Sequence, residues 1–433
     1  MKERLSEELR HASGGIPLEP DLPGVIERGE RISARRRAGA LIVGLGAFAL
    51  TLSLLVIVAH GASERRSSPT SFGALPTGAL RIPGSAQLPE GALLFQNGLQ
   101  VDLLPHGSAQ ALLVGKGMTA LELSPDGQLV LTESTLSEPT SFTRNVNLDS
   151  VDTSTGDLTV LAQAGATQSL ADAQWSPSGD KVAYVTDSFS VDPSVVNPGP
   201  TPSSEVLCIV SVPPTNPTCY PQIGSVSSFS WAPNGAEILT TGSSDREVRI
   251  LSLTSAETST LIPVGGDASL NQALKSAGMG SILSIPQVSW SPDGRYAAAF
   301  VLADPGGSVP VIVSTSDGAV VAVGKQNPDT QFGAWSPSGN LFAYTTGLNG
   351  VGPSSADWTV RTLTPAGQDR EAFRTQNLTS PQISGVVWSP SGTLLAIDNI
   401  DQIRIVDMAT GTLAYDLPLA TSQDDSQPLV SWR

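Results

Sequence analysis

Histidine and cysteine are nearly missing from this 433-residue chain, with three of the first and two of the second. His11, His60 and His106 are far apart, so a histidine or cysteine metal cluster is excluded as an expectation, and no cofactor is expected. No G-x-S-x-G occurs, so a nucleophile elbow is absent. Charge is also scarce, at 15% of residues, whereas glycine (42) and proline (33) are plentiful, as suits many short strands joined by turns. Beyond residue 37 the balance is 16 basic to 33 acidic residues, a net of −17. Such a surface argues against nucleic-acid binding and suits a neutral or cationic partner, or simple solubility.

What the chain does have is a repeat. Trp290-Ser291-Pro292-Asp293-Gly294 recurs as Leu123-Ser124-Pro125-Asp126-Gly127, Trp175-Ser176-Pro177-Ser178-Gly179, Trp231-Ala232-Pro233-Asn234-Gly235, Trp335-Ser336-Pro337-Ser338-Gly339 and Trp388-Ser389-Pro390-Ser391-Gly392. The copies begin 52, 56, 59, 45 and 53 residues apart, room for one small antiparallel sheet each. Proline presets φ at the second position of a β-turn, Asp, Asn or Ser suits the third, and glycine accepts the positive φ that follows. Asp126 and Asp293 are therefore read as turn formers rather than calcium ligands. A strand ending in Trp precedes each turn, an apolar strand follows, and two more strand-like runs complete four per repeat.

This pattern resembles the TolB-like, WD40-like (PD40-type) β-propeller family, whose repeats carry a W-S-P-D-G turn between the first two strands of a blade. The resemblance implies an all-β, seven-bladed propeller over residues 91–433. Trp175, Trp231, Trp290, Trp335, Trp388 and Trp432 are then structural residues packed between blades. Val430-Ser431-Trp432 matches Val288-Ser289-Trp290, yet the chain stops one residue later. Runs 92–96, 99–104 and 110–114 resemble second, third and fourth strands without a first. The C-terminal strand is thus expected to complete the N-terminal blade and leave no open edge at the joint. The hydrolase domain that accompanies propellers in prolyl-oligopeptidase-like enzymes is not expected.

Residues 1–37 are polar and charged, with helical stretches at 3–11 and 25–37, and end in Arg35-Arg36-Arg37. Residues 38–59 are uncharged; as a helix they would reach about 33 Å, enough to span a hydrocarbon core of ~30 Å. The arginines place residues 1–37 in the cytoplasm and the rest outside, a single-pass membrane protein in what is expected to be a bacterial cell. A signal peptide cleaved near Ala59 or Ala62 is the competing reading, though its apolar region would be unusually long. A twin-arginine signal fits the following residues poorly. Residues 60–90, rich in Ser, Pro, Gly and Ala, read as a flexible stalk joining the ring near Ala92.

Cys208 and Cys219 read as a disulfide of an exported domain, with two buried thiols as the alternative. Asn377-Leu378-Thr379 fits a glycosylation acceptor, a pattern of little weight in a bacterium. In a propeller the first-to-second and third-to-fourth strand turns share one face, and the remaining connections share the other. The long connections, 133–144, 187–204, 302–309, 346–357 and 265–286, all belong to the second set, and the last should hold a helix at 269–277. That face is the expected site for an unknown protein or small ligand. The function expected is a membrane-anchored binding scaffold without catalysis. Alternatives are a transmembrane regulator acting through residues 1–37 and an enzyme using carboxylates at the central channel.

Overall fold

The structure is a computed structural model of the chain. It describes residues 77–81, 88–97, 100–108, 110–135, 146–165, 168–190, 201–242, 246–304, 306–326, 333–347, 358–374, 383–399, 402–418 and 431–433. By its contacts the chain divides into residues 1–55 and 56–433, and every described residue belongs to the second unit. The expectations for 1–37, 38–59 and Asn377 lie outside the described residues. Among the described residues no helix is long and apolar enough to cross a membrane.

Blade 5 shows how one repeat folds. Its strands Ile282–Trp290, Tyr296–Ala303, Ser308–Ser314 and Val320–Val323 pair in sequence order, each antiparallel to the last. Side chains alternate across the sheet, so Ala297, Ala299 and Val301 face blade 4 while Ala298 and Phe300 face blade 6. Blades 2 (118–164), 4 (228–262), 6 (333–374) and 7 (383–418) repeat this order. Blade 3 (168–219) does too, but its fourth strand is only Thr218–Cys219, joined to its neighbour by the Cys208–Cys219 disulfide. Its exit turns inward through a 3₁₀ helix, Pro221–Ile223, whose last carbonyl accepts from Arg249 Nη1 at 2.7 Å.

The turn between the first two strands is built around the motif serine. Ser124, Ser176, Ser291, Ser336 and Ser389 are all buried. Each hydroxyl accepts the amide five residues on, at 2.8 to 3.2 Å. Each serine carbonyl also accepts the motif glycine amide, and those glycines hold φ near +70°. The sequence order Ser-Pro-x-Gly is thus a closed hydrogen-bonding unit, which accounts for its recurrence in blades 2, 3, 5, 6 and 7.

Among the described residues seven hydrophobic cores lie in this ring, each drawn from two neighbouring blades, including one shared by blades 7 and 1. The six tryptophans named above sit in the core shared with the preceding blade, all under a tenth exposed. Burying one indole, roughly 200 Å² at ~25 cal/mol per Å², is worth about 5 kcal/mol before entropy is counted. Three of them also reach across the interface with the indole N–H. Trp231, Trp335 and Trp388 donate to the carbonyls of Gln174, Ser289 and Ala334, the residues just before the preceding blade's tryptophan.

Closure follows the expected route. Ser431–Trp432 pairs with Leu94 and Leu93 as the innermost strand of blade 1. Around it, the Arg433 amide donates to the Ala92 carbonyl, the Trp432 indole donates to the Glu90 carbonyl at 2.9 Å, and Arg433 bridges to Glu122 of blade 2.

The start of the ring differs from expectation. Thr77–Arg81, inside the stretch read as stalk, forms a fifth, outermost strand of blade 1. Leu88, also upstream of the expected boundary, is buried in the core shared with blade 7. The ring therefore begins by residue 77 at the outer rim rather than near Ala92. The strand runs antiparallel to Gln110–Lys116, so Arg81 lies nearer the turn at 105–109 than Thr77 does. Its sequence, Thr-Gly-Ala-Leu-Arg, has no alternation to mark it, and only the free edge of Gln110–Lys116 selects it.

Candidate functional site

The two faces of the ring are unequal. On one, every turn between strands spans four to six residues, from 105–109 in blade 1 to 408–411 in blade 7. On the other, connections run from the single residue Gly117 to the long segment between Ile262 and Ile282. That segment carries helix α1, Ala268–Ser276, close to the expected 269–277. Asp267 caps it by accepting the Leu270 amide, and Leu270 and Leu274 close one end of the core between blades 4 and 5.

The expected long loops are shorter than the sequence suggests. Blade 3's middle strands, Lys181–Ser190 and Thr201–Ser211, pair out to Ser190 and Thr201, so both ends of 187–204, residues 187–190 and 201–204, belong to a hairpin arm. It projects past the first strand of its blade, whose pairing stops at Ser188 with Gln168. Segment 302–309 shrinks to a turn between Ala303 and Ser308, and 265–286 yields its last residues to the strand beginning at Ile282. Residues 136–145, 191–200 and 348–357, the middles of the other loops, lie outside the described residues.

The short-turn face has a distinct charge. Its turns and the strand residues flanking them carry eleven carboxylates, from Glu90 to Asp407, against Lys181, Arg295 and Arg433. The Ser124 hydroxyl and the Gln128 amide hold Asp126 below the usual carboxylate range; Ser154 and Thr155 do the same for Asp152, and the Thr410 amide for Asp407. Burial works against Asp293, yet the Ser291 hydroxyl and Arg295 outweigh it and keep its carboxyl low. These groups stay ionised well below neutral pH. Asp126 and Asp293 have the turn-forming role expected of them, each accepting from the motif serine and an amide two residues on.

A cleft of about 560 Å³ opens on this face between blades 4 and 5. Trp290, Ile250, Asn234, Glu237 and Arg295 line it. Here the indole N–H of Trp290 turns to its own turn, donating to the Gly294 carbonyl at 3.2 Å. The Glu237 carboxylate accepts from Asn234 Nδ2 at 3.2 Å, and Arg295 pairs with Asp293 at 2.6 Å. The cleft did not figure in the sequence expectations, although Ala232 at the serine position was a visible signal.

Two carboxylates, Glu122 and Asp172, lie on the described innermost strands. Burial pushes the Glu122 carboxyl up, while Arg433 at 2.7 Å and the Trp175 amide at 2.7 Å draw it back. It joins three blades, because those partners belong to blades 1 and 3. Among the described residues no three His, Cys, Asp or Glu side chains are placed to hold a metal ion.

Set beside known proteins, the chain shows the same fold. The family model of the WD domain, G-beta repeat, matches residues 218–252. That span starts on the last strand of blade 3 and ends on the third strand of blade 4, Val248–Ser252. A functionally unknown protein from Desulfotomaculum acetoxidans superposes with a TM-score of 0.52 at 13% identity, over 79% of this chain and 99% of that one. TolB from Acinetobacter baumannii gives 0.45 at 13%, over 78% and 80%. The β-propeller domain of Cps50 (Swd1) from Myceliophteria thermophila gives 0.48 at 11%, over 70% and 88%. No curated protein matches the chain in sequence. At 13% identity the likeness to the Desulfotomaculum acetoxidans protein is one of fold.

Proposed function

We propose that this protein is a membrane-anchored, extracytoplasmic β-propeller that binds a protein partner through its long-connection face and performs no catalysis. The observation that carries the reading is the inequality of the faces: uniform turns of four to six residues on one, connections of up to nineteen residues (263–281) on the other. A rigid ring tolerates insertions anywhere on its surface, so their confinement to one side is what a binding face displays. The anchor rests on the uncharged run 38–59 behind Arg35-Arg36-Arg37. Absence of catalysis is supported by Glu122 being tied to Arg433 rather than left available at the channel.

The test is made on the long connections. Replacing 191–200 and the exposed residues of α1 with Gly and Ser, while keeping Leu270 and Leu274, should leave the melting temperature unchanged. It should reduce partner cross-linking on intact cells about tenfold or more, as expected when central contacts are lost. Undiminished cross-linking in both replacements would defeat the reading.

A further inference from the structure

The repeats provide an internal standard, because each position can be compared with its counterparts in other blades. Two departures meet in the cleft between blades 4 and 5. At the motif serine position, blades 2, 3, 5, 6 and 7 carry Ser124, Ser176, Ser291, Ser336 and Ser389, and only blade 4 has alanine, the buried Ala232. Two residues after the motif glycine, the counterparts are Leu129, Lys181, Tyr296, Leu341 and Leu394, and only blade 4 places a carboxylate there, Glu237.

A third departure concerns the interface itself. Trp231, Trp335 and Trp388 bind the preceding blade through the indole N–H, whereas Trp290 binds its own turn, as Trp432 binds Glu90 of its own blade. The cleft lies at this interface, on the turn side of blades 4 and 5. Helix α1 closes the same core only at its opposite end. Departures from a repeat that cost a local hydrogen bond without a compensating contact are characteristic of functional positions.

The chemistry of the lining selects the ligand. Glu237 presents a carboxylate whose described partner is one neutral amide, Asn234 Nδ2, so it retains acceptor capacity. Trp290 lines the same cleft, and an indole and a carboxylate facing one opening suit an organic cation. Arg295 is already neutralised by Asp293. The surrounding face, with eleven carboxylates against three bases, would attract a positive partner from a distance. That charge alone would not single out a position, since most of it is accounted for by turn chemistry.

We propose that this cleft is a second binding site, which takes the ammonium or guanidinium group of a Lys- or Arg-bearing extended segment of a protein partner. It lies on the opposite face from the long connections and does not depend on their role. The carboxylate of Glu237 receives the cation, Trp290 flanks it, and Pro233 and Ile250 contact the side-chain stem.

The test is calorimetric titration of the full-length protein in detergent with tetralysine amide at low ionic strength, using the fully acetylated peptide as the neutral control. Tetralysine should bind and the acetylated peptide should not. Glu237→Gln should weaken binding roughly tenfold, the scale of one lost charge-assisted contact, with the melting temperature unchanged. Asp157→Asn, on the same face but in blade 2, should change it less than twofold. Should Glu237→Gln fail to fold, Asn234→Asp serves instead: it adds a carboxylate beside Glu237 and should tighten binding severalfold. Absence of tetralysine binding, equal weakening by Glu237→Gln and Asp157→Asn, or no response to Asn234→Asp would each overturn the proposal.

Discussion

Trp432→Ala, at the next-to-last residue, is expected to cost about 3–5 kcal/mol of stability, as much as truncating an aromatic residue deep in a core. Terminal residues are ordinarily expendable. This one is not, because its indole fills the core shared by blades 7 and 1 and donates to the Glu90 carbonyl. Removing residues 429–433 should cost more than the single substitution. It also strips the pairing partners from Leu93 and Leu94, frees Ala92, and leaves the half-buried Glu122 carboxylate without Arg433. Urea unfolding monitored by circular dichroism would show the change as a lowered midpoint. A midpoint within error of the intact chain would mean that the ring does not depend on its last strand.

The second large effect is expected where blades meet through glycine. Gly318 holds φ at 72° in the last turn of blade 5, and a Cβ there would stand 2.5 Å from the Leu261 carbonyl oxygen of blade 4. Gly318→Ala combines a left-handed backbone penalty of ~1–2 kcal/mol with a forced backbone shift of similar size, about 2–4 kcal/mol together. Gly367 has φ of 80° in the same turn of blade 6 but nothing within 4 Å. Gly367→Ala should therefore cost only about 1 kcal/mol. Ala256 occupies the corresponding turn of blade 4 at φ 57°, so Ala256→Gly should stabilise the ring by about 0.5–1 kcal/mol. Urea midpoints for the three variants measure the series. Equal costs at Gly318 and Gly367 would contradict the described spacing of the blades.

These contrasts show which parts of the molecule were legible before its structure. Ser-Pro-x-Gly was readable because all of its hydrogen bonds close within six residues, so local chemistry alone specifies the turn. The closing strand was readable because it repeats the Val-Ser-Trp of blade 5. Thr77–Arg81 was not, since its place depends on a free edge rather than on any pattern of its own. The two ends of the blade 3 segment 187–204, at 187–190 and 201–204, were misread for a related reason. The segment's Ser- and Pro-rich composition marks a loop, but long pairing between Lys181–Ser190 and Thr201–Ser211 overrides that preference, with a register shift accommodating Phe189 opposite Pro202. The cleft stood between these cases. Ala232 and Glu237 were visible as exceptions to the repeat, but only the ring geometry brings them to one opening beside Trp290.

The proposed role as a displayed binding ring rests most directly on where the ring is held. Proteinase K added to intact cells making the full chain should remove the propeller and leave a membrane-bound fragment that retains residues 1–59. A chain that stays full-length until the membrane is permeabilised, or one whose N-terminal tag is absent from the membrane before protease is added, would contradict the account.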